Sequence, residues 1–264
     1  MIGICTDSSA QLPPDLVARL GIEVVPLIVT IDDHDRMDGG DIDADQFWAL
    51  FDDGHRPIVT ASDSDPGQFA AAYEDLIERG CTEILSVHVA ASVASALKAA
   101  RLAAHSTPIT VRVVDTVSAG FAVGCAAWSA ADVVAAGGTL DEAAAAAERA
   151  SATLGHLLLL PRAGHEHSGY DLVRIREGGT EHVGGFDSAI DAINAMSASA
   201  VAWGTRLRVA VGHSDQASAP LGDALEGAIE AAASVAEVVR FRIGPSMGAL
   251  TGPGVVSCVM CPLE

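Results

Sequence analysis

The sequence predicts an α/β protein in two parts: a mostly parallel sheet flanked by helices over residues 1–154, and a smaller α+β part with mainly antiparallel strands over 155–264. Three observations carry this. Short β-rich runs alternate with helical stretches through the first half, as in a parallel sheet with covering helices. Two long Ala-rich helical stretches then interrupt the alternation. From His156 onward the strand-like runs are short and joined by Gly-rich turns, the pattern of antiparallel pairing. At 264 residues, one large or two modest domains are expected, with a sizeable core in either case.

The elements follow in order. Ile2-Gly3-Ile4-Cys5 is apolar and ends in Thr6-Asp7-Ser8-Ser9, small polar residues suited to a strand-to-helix turn. Pro13 and Pro14 suit the first turn of a helix through Leu20, closed by Gly21. A β-rich run covers 23–31. Helix 67–78, strand 83–89, helix 92–104 and strand 110–114 continue the alternation. The Ala-rich helices cover 119–136 and 140–153, parted by Gly137-Gly138. Strand-like runs at 156–160, 172–176 and 181–183 open the second part, with Gly178-Gly179 as a turn. Helices 188–200 and 218–232 and strands 207–211, 237–243 and 254–259 complete it.

Composition narrows the function. Half the residues are hydrophobic and only 4% are aromatic, so the core must be built from small side chains packed closely. Lys and Arg number 15 against 35 Asp and Glu, a formal charge of −20, and that field repels nucleic acid and anionic lipid surfaces alike. Cys5, Cys81, Cys125, Cys258 and Cys261 are scattered, which fits reduced thiols. No basic segment leads into an apolar stretch at the N-terminus, and no apolar run is long enough to span a bilayer, so the expectation is a cytoplasmic protein.

Motifs with chemistry are weighed one by one. Neither the phosphate-cradling Walker spacing nor G-x-G-x-x-G is present, nor is the G-x-S-x-G elbow of serine hydrolases. Asp41-x-Asp43-x-Asp45 is the start of a calcium-loop pattern, but Gln46 stands where the turn glycine belongs and Asp52 where the bidentate Glu belongs, so a solvated acidic loop is expected. His165-Glu166-His167 lacks the zincin spacing and is expected to be a hydrophilic loop. Cys258-x-x-Cys261 has no second pair and lies in an apolar segment, so a buried terminal strand is expected. His88 ends an apolar strand, toward the sheet edge where open α/β sheets bind ligands, and a partly buried core histidine is expected there. Ser92 and Ser95 follow at the opening of a helix, as caps or as part of an anion site.

Several segments, in order, resemble the DegV family: Thr6-Asp7-Ser8-Ser9-Ala10-Gln11-Leu12-Pro13, Asp38-Gly39-Gly40-Asp41-Ile42, Thr60-Ala61-Ser62 with Pro66-Gly67-Gln68-Phe69, Val113-Val114-Asp115-Thr116, and Thr251-Gly252-Pro253-Gly254. The resemblance implies the two-domain fold of that family, with the second domain shortened. It also implies a long-chain fatty acid or related lipid held between or alongside the domains, and no catalysis. The tail lies in an apolar tunnel and the carboxylate meets hydroxyls and a histidine; some members present the acid to a separate fatty-acid kinase. Neither a cofactor nor a metal is implied. Carried onto this sequence, the ligand-binding positions are Thr60, Ala61, Ser62, Ser92, Ala94, Ser95, Leu250 and Thr251. The family's hydroxyls fall on Ala61 and Ala94 and its histidine on Leu250, so Thr60, Ser62, Ser92 and Ser95 are the neighbours left to substitute. The rival expectations are a histidine phosphocarrier or dihydroxyacetone-kinase-like enzyme acting through His88 or His213, the latter with Asp215 to orient it, and a member acting only through protein contacts.

Overall fold

The computed structural model describes residues 1–61, 64–162, 169–176 and 179–263, with side chains left out at 53, 61 and 176. The chain folds as two units: residues 1–43, 56–152 and 244–249 form the first, and 44–55, 153–243 and 250–264 the second.

The first unit is built on a parallel four-stranded sheet, β1 (Ile2–Asp7), β2 (Ile22–Val25), β6 (Glu83–His88) and β7 (Thr110–Asp115), in the order β2-β1-β6-β7. The inner strands β1 and β6 are buried along nearly their whole length because both faces are covered. On one face α3 (Pro66–Glu78) and α4 (Ala96–Ser106) bury Phe69, Tyr73 and Leu76 together with Ala96, Ala99, Ala100 and Ala103. On the other, α5 (Phe121–Ala135) and α6 (Leu140–Thr153) pack almost entirely through alanine, including Ala126, Ala130, Ala143 and Ala147. Helix α5 is apolar and buried all round from Phe121 to Trp128 and turns the exposed Asp132 to solvent only in its last turn. A 3-10 turn, Ser8–Ala10, follows β1 and leads to α1 (Pro14–Leu20), which Gly21 closes at φ 63°.

One predicted strand is two. The run 23–31 breaks at Pro26, which has no N–H to give a ladder. Beyond it β3 (Ile28–Ile31) joins a separate antiparallel sheet, β4-β3-β5, with β4 (His34–Met37) and β5 (Val59–Ala61). The β3–β4 hairpin turns on Asp32 and Asp33, both at positive φ, which aspartate tolerates better than most residues. The acidic stretch 32–45 is therefore partly structured rather than a plain loop. Asp41 Oδ2 accepts the Met37 N–H at 2.9 Å, while Asp45, in α2 (Ala44–Ala49), is ion-paired with Arg242.

The second unit holds a six-stranded sheet, order β10-β9-β8-β13-β11-β12, from β8 (Gly155–Pro161), β9 (Tyr170–Arg176), β10 (Gly179–Phe186), β11 (Leu207–His213), β12 (Val235–Arg242) and β13 (Val256–Pro262). Its pairings are antiparallel except β11–β12. Helices α7 (Ala189–Val201) and α8 (Ala219–Glu230) close a core of Leu157, Leu172, Met196, Val209, Leu225 and their neighbours. Cys258 and Cys261 lie buried in β13, as expected, and burial pushes the Cys258 thiol up to about 12. His165, Glu166, His167 and Gly178 fall outside the described residues. The remaining helix, α9 (Pro245–Thr251), has no counterpart among the elements read from sequence.

Candidate functional site

In the first unit the carboxyl edge of the parallel sheet gathers the polar side chains. Asp7 closes β1 and His88 closes β6, neighbouring strands, and both are fully buried. His88 Nδ1 lies 2.8 Å from Asp7 Oδ2, and its Nε2 lies 2.6 Å from Ser86 Oγ, two residues back on the same face of the strand. Tyr73 of α3 brings its hydroxyl to Ser86 at 2.8 Å. Ser9 donates its backbone N–H and its hydroxyl to Asp7 Oδ1. Phe69 meets the imidazole edge-on at 5.1 Å.

The order carboxylate, imidazole, hydroxyl is that of an acyl-transfer triad. Burial decides against that role. Ser86 has no exposed surface and its oxygen already serves Tyr73, and desolvation lifts the Tyr73 hydroxyl above the usual phenol range. Both nitrogens of His88 are engaged inside the core, so the ring is not presented to a phosphodonor. The network ties β1, β6 and α3 together and gives each polar side chain in it a partner. Where the sequence predicts a partly buried His88, the structure buries it wholly, because α3 covers the strand end.

His213 ends β11 in the second unit. Its Nδ1 faces Arg240 Nη2 at 3.1 Å, and burial followed by the Arg242 and Arg240 charges lowers its pKa to about 4. The Asp215 carboxylate accepts from the Ser218 N–H at 3.0 Å and the Gly254 N–H at 3.1 Å, so the bonded partner of His213 is an arginine.

The structure brings two of the predicted ligand segments together. Ser95 Oγ accepts the Ser64 N–H at 2.8 Å, pinning the segment after β5 to the turn before α4. That turn, with Ser92 exposed and Ala94 and Ser95 half-buried, is fixed by Val93 N–H and Ala94 N–H on Ala90 O, and Ala90 N–H reaches Ser118 O. Helix α4 starts at Ala96, four residues later than predicted. Ser95 is its N-cap residue without a side-chain cap bond, so its hydroxyl serves the 60–64 segment instead. Thr60 is exposed in β5 opposite Thr30; Ala61 ends the strand, and Ser62 is outside the described residues. Leu250, 59% exposed, and Thr251 close α9 and are grouped with the second unit.

Asp38 is the polar residue that sequence reasoning leaves without a role. It is 7% exposed, accepts the Ser8 hydroxyl at 3.1 Å and the Ser246 N–H at 3.2 Å, and so joins the turn after β1 to the first turn of α9. Burial raises its pKa despite these donors. Its signal in the sequence is the segment Asp38-Gly39-Gly40-Asp41, which carries part of the family resemblance and no recognisable chemistry of its own.

Comparison with known proteins gives a consistent result. The family profile described as "Uncharacterised protein, DegV family" matches residues 1–162. A DegV domain-containing protein of Streptomyces coelicolor is 33% identical over 280 residues, covering 98% of each chain. Among solved structures, a Thermus thermophilus DegV family protein described for its fatty acid binding is 25% identical, with a TM-score of 0.84 and 99% of each chain covered. The DegV of Bacillus subtilis, described as a fatty acid binding protein, has a TM-score of 0.83 at 18% identity over 98% of each chain, a likeness of fold.

Proposed function

Because the chain belongs to the DegV family, we propose that it is a non-catalytic carrier of a long-chain fatty acid or related lipid. The observation that carries this reading is its likeness, along nearly the whole of both chains, to the fatty-acid-binding Thermus thermophilus protein. Affinity comes from the tail, since each methylene taken out of water contributes about 0.8 kcal/mol. The carboxylate needs donors to offset its own desolvation. Ser95 has one: its oxygen already accepts the Ser64 N–H, which leaves its O–H to give. In the same unit Thr60 and Ser92 are the other hydroxyls of these segments, while Ala61 and Ala94 bring none. The head group is accordingly held more weakly than in a member with hydroxyls at 61 and 94.

On this reading the phosphoryl chemistry belongs to a separate fatty-acid kinase to which the loaded protein presents the acid. Five free, buried cysteines support work in a reducing compartment such as the cytoplasm, and no helix among the described residues is long and apolar enough to cross a membrane. Native mass spectrometry of the gently purified protein, followed by organic extraction, tests the carrier reading. One fatty acid per chain is expected. A protein that emerges empty and whose unfolding temperature ignores added palmitate overturns it.

A further inference from the structure

We propose that the outer edge of strand β7, with the exposed face of helix α4 beside it, is a docking site for an extended acidic segment of a partner protein. This site is independent of the lipid reading. Three observations meet there. The first is a free edge: β7 is the last strand of the parallel sheet and pairs with β6 alone among the described residues, so the main-chain groups on its other side have no ladder partner. The second is a groove of about 330 Å³ along that edge, lined by Arg101, Ala104, His105, Val111 and Val113. The third is charge. Lys98, the only lysine of the chain, and Arg101 form no ion pair among the described residues, and α4 carries no acidic residue.

That last point is unusual in a chain of net charge −20. By contrast Arg79, Arg112, Arg174, Arg208 and Arg242 are each ion-paired with a carboxylate. Lys98, Arg101, Leu102 and His105 fall at helical spacing on one exposed face, with Leu102 53% exposed. The His105 Nδ1–H is spent on Arg101 O at 2.7 Å, which fixes the ring on that face.

The chemistry selects the occupant. A free strand edge calls for a main chain, as in β-augmentation. Val111 and Val113, alternate residues on the α4 side of the strand, call for an apolar side chain on the same face of the incoming strand. Arg101 and Lys98 call for a carboxylate two residues along on that face. An anionic bilayer offers no strand to the free edge.

The test is a selection of phage-displayed random peptides of strand length against the full chain, with the recovered peptides synthesised and their affinity measured. Peptides alternating apolar and acidic residues on one face are expected, with hydrogen exchange slowed at the β7 amides. Arg101→Glu, an exposed change that leaves the unfolding temperature in place, is expected to weaken them about tenfold or more. Recovery of no such peptide, binding unchanged by Arg101→Glu, or protection elsewhere overturns the proposal. An Arg101-dependent dimer in sedimentation assigns the face to a second copy, and Arg101-dependent pelleting with phosphatidylglycerol vesicles without peptide binding assigns it to a membrane; either overturns it too.

Discussion

At the scale of single residues, the buried polar groups set the largest effects. Asp7→Ala strips His88 Nδ1 and Ser9 of their acceptor inside a closely packed core, and it should lower unfolding free energy by about 3 kcal/mol in a denaturant titration. His156, in β8, is buried with its Nε2 on Ser257 Oγ, and burial lowers its pKa from 6.5 to about 4. Between those values the unfolded chain binds the proton and the native chain does not. Stability is therefore complete above pH 6.5 and falls as pH drops toward 4, by about 3 kcal/mol for this residue. His213, only partly buried, adds in the same window. Unfolding titrations of wild type and His156→Gln across that range check the claim, the variant losing the smaller amount on acidification. At the proposed head-group segment, Ala94→Ser adds a hydroxyl beside Ser95 and should tighten fatty-acid binding about threefold to tenfold by calorimetry, the worth of one added hydrogen bond.

At the scale of elements, close approach and tethering decide what tolerates change. Helix α5 meets the turn after β1 so closely that a Cβ at Gly124 would lie 2.7 Å from Ala10 O and 2.9 Å from a Leu12 methyl. The backbone oxygen cannot move aside, so Gly124→Ala should cost about 1–3 kcal/mol of stability in spite of its helix-favouring side chain. Asp38 tethers α9, and its raised pKa gives the opposite pH sign to His156. Above the ordinary aspartate value of 3.8 and below the folded value, the native state holds the proton longer than the unfolded chain does. Stability contributed at this site therefore falls as pH rises through that window and stays reduced above it. Asp38→Asn, which keeps an acceptor for the Ser246 N–H, should remove that slope when the two proteins are unfolded at a series of pH values.

At the scale of the whole molecule, ligand and charge act on stability together. A carrier that binds its lipid only when folded gains RT ln(1 + [L]/Kd), about 2.7 kcal/mol at a free concentration one hundred times Kd. Extraction of the lipid should lower the unfolding temperature, and palmitate should restore it. The charge of −20 keeps an alanine-rich, weakly aromatic chain dispersed, and it sets apart the two cations of α4 as a place where an acidic partner is not repelled.

The sequence by itself determined the layering. The strand 83–89 and the helical stretches alternating with it read as a parallel sheet with covering helices, and the alanine-rich stretches read as helices that pack closely, because this much is written in local periodicity and side-chain size. It also determined what the proposed head-group segments lack, since Ala61, Ala94 and Leu250 are visible as letters. Tertiary structure alone decided the rest. Helix α2 has six residues, too few to show a period, and holds because Phe47 and Trp48 are buried and Trp48 Nε1–H reaches Ile243 O at 2.6 Å. The bond between Asp7 and His88 joins residues 81 apart, and that between Asp38 and Ser246 joins residues 208 apart. Sequence spacing carries no information on such pairs, because a hydrogen bond depends on distance and angle between atoms that only the completed fold brings together.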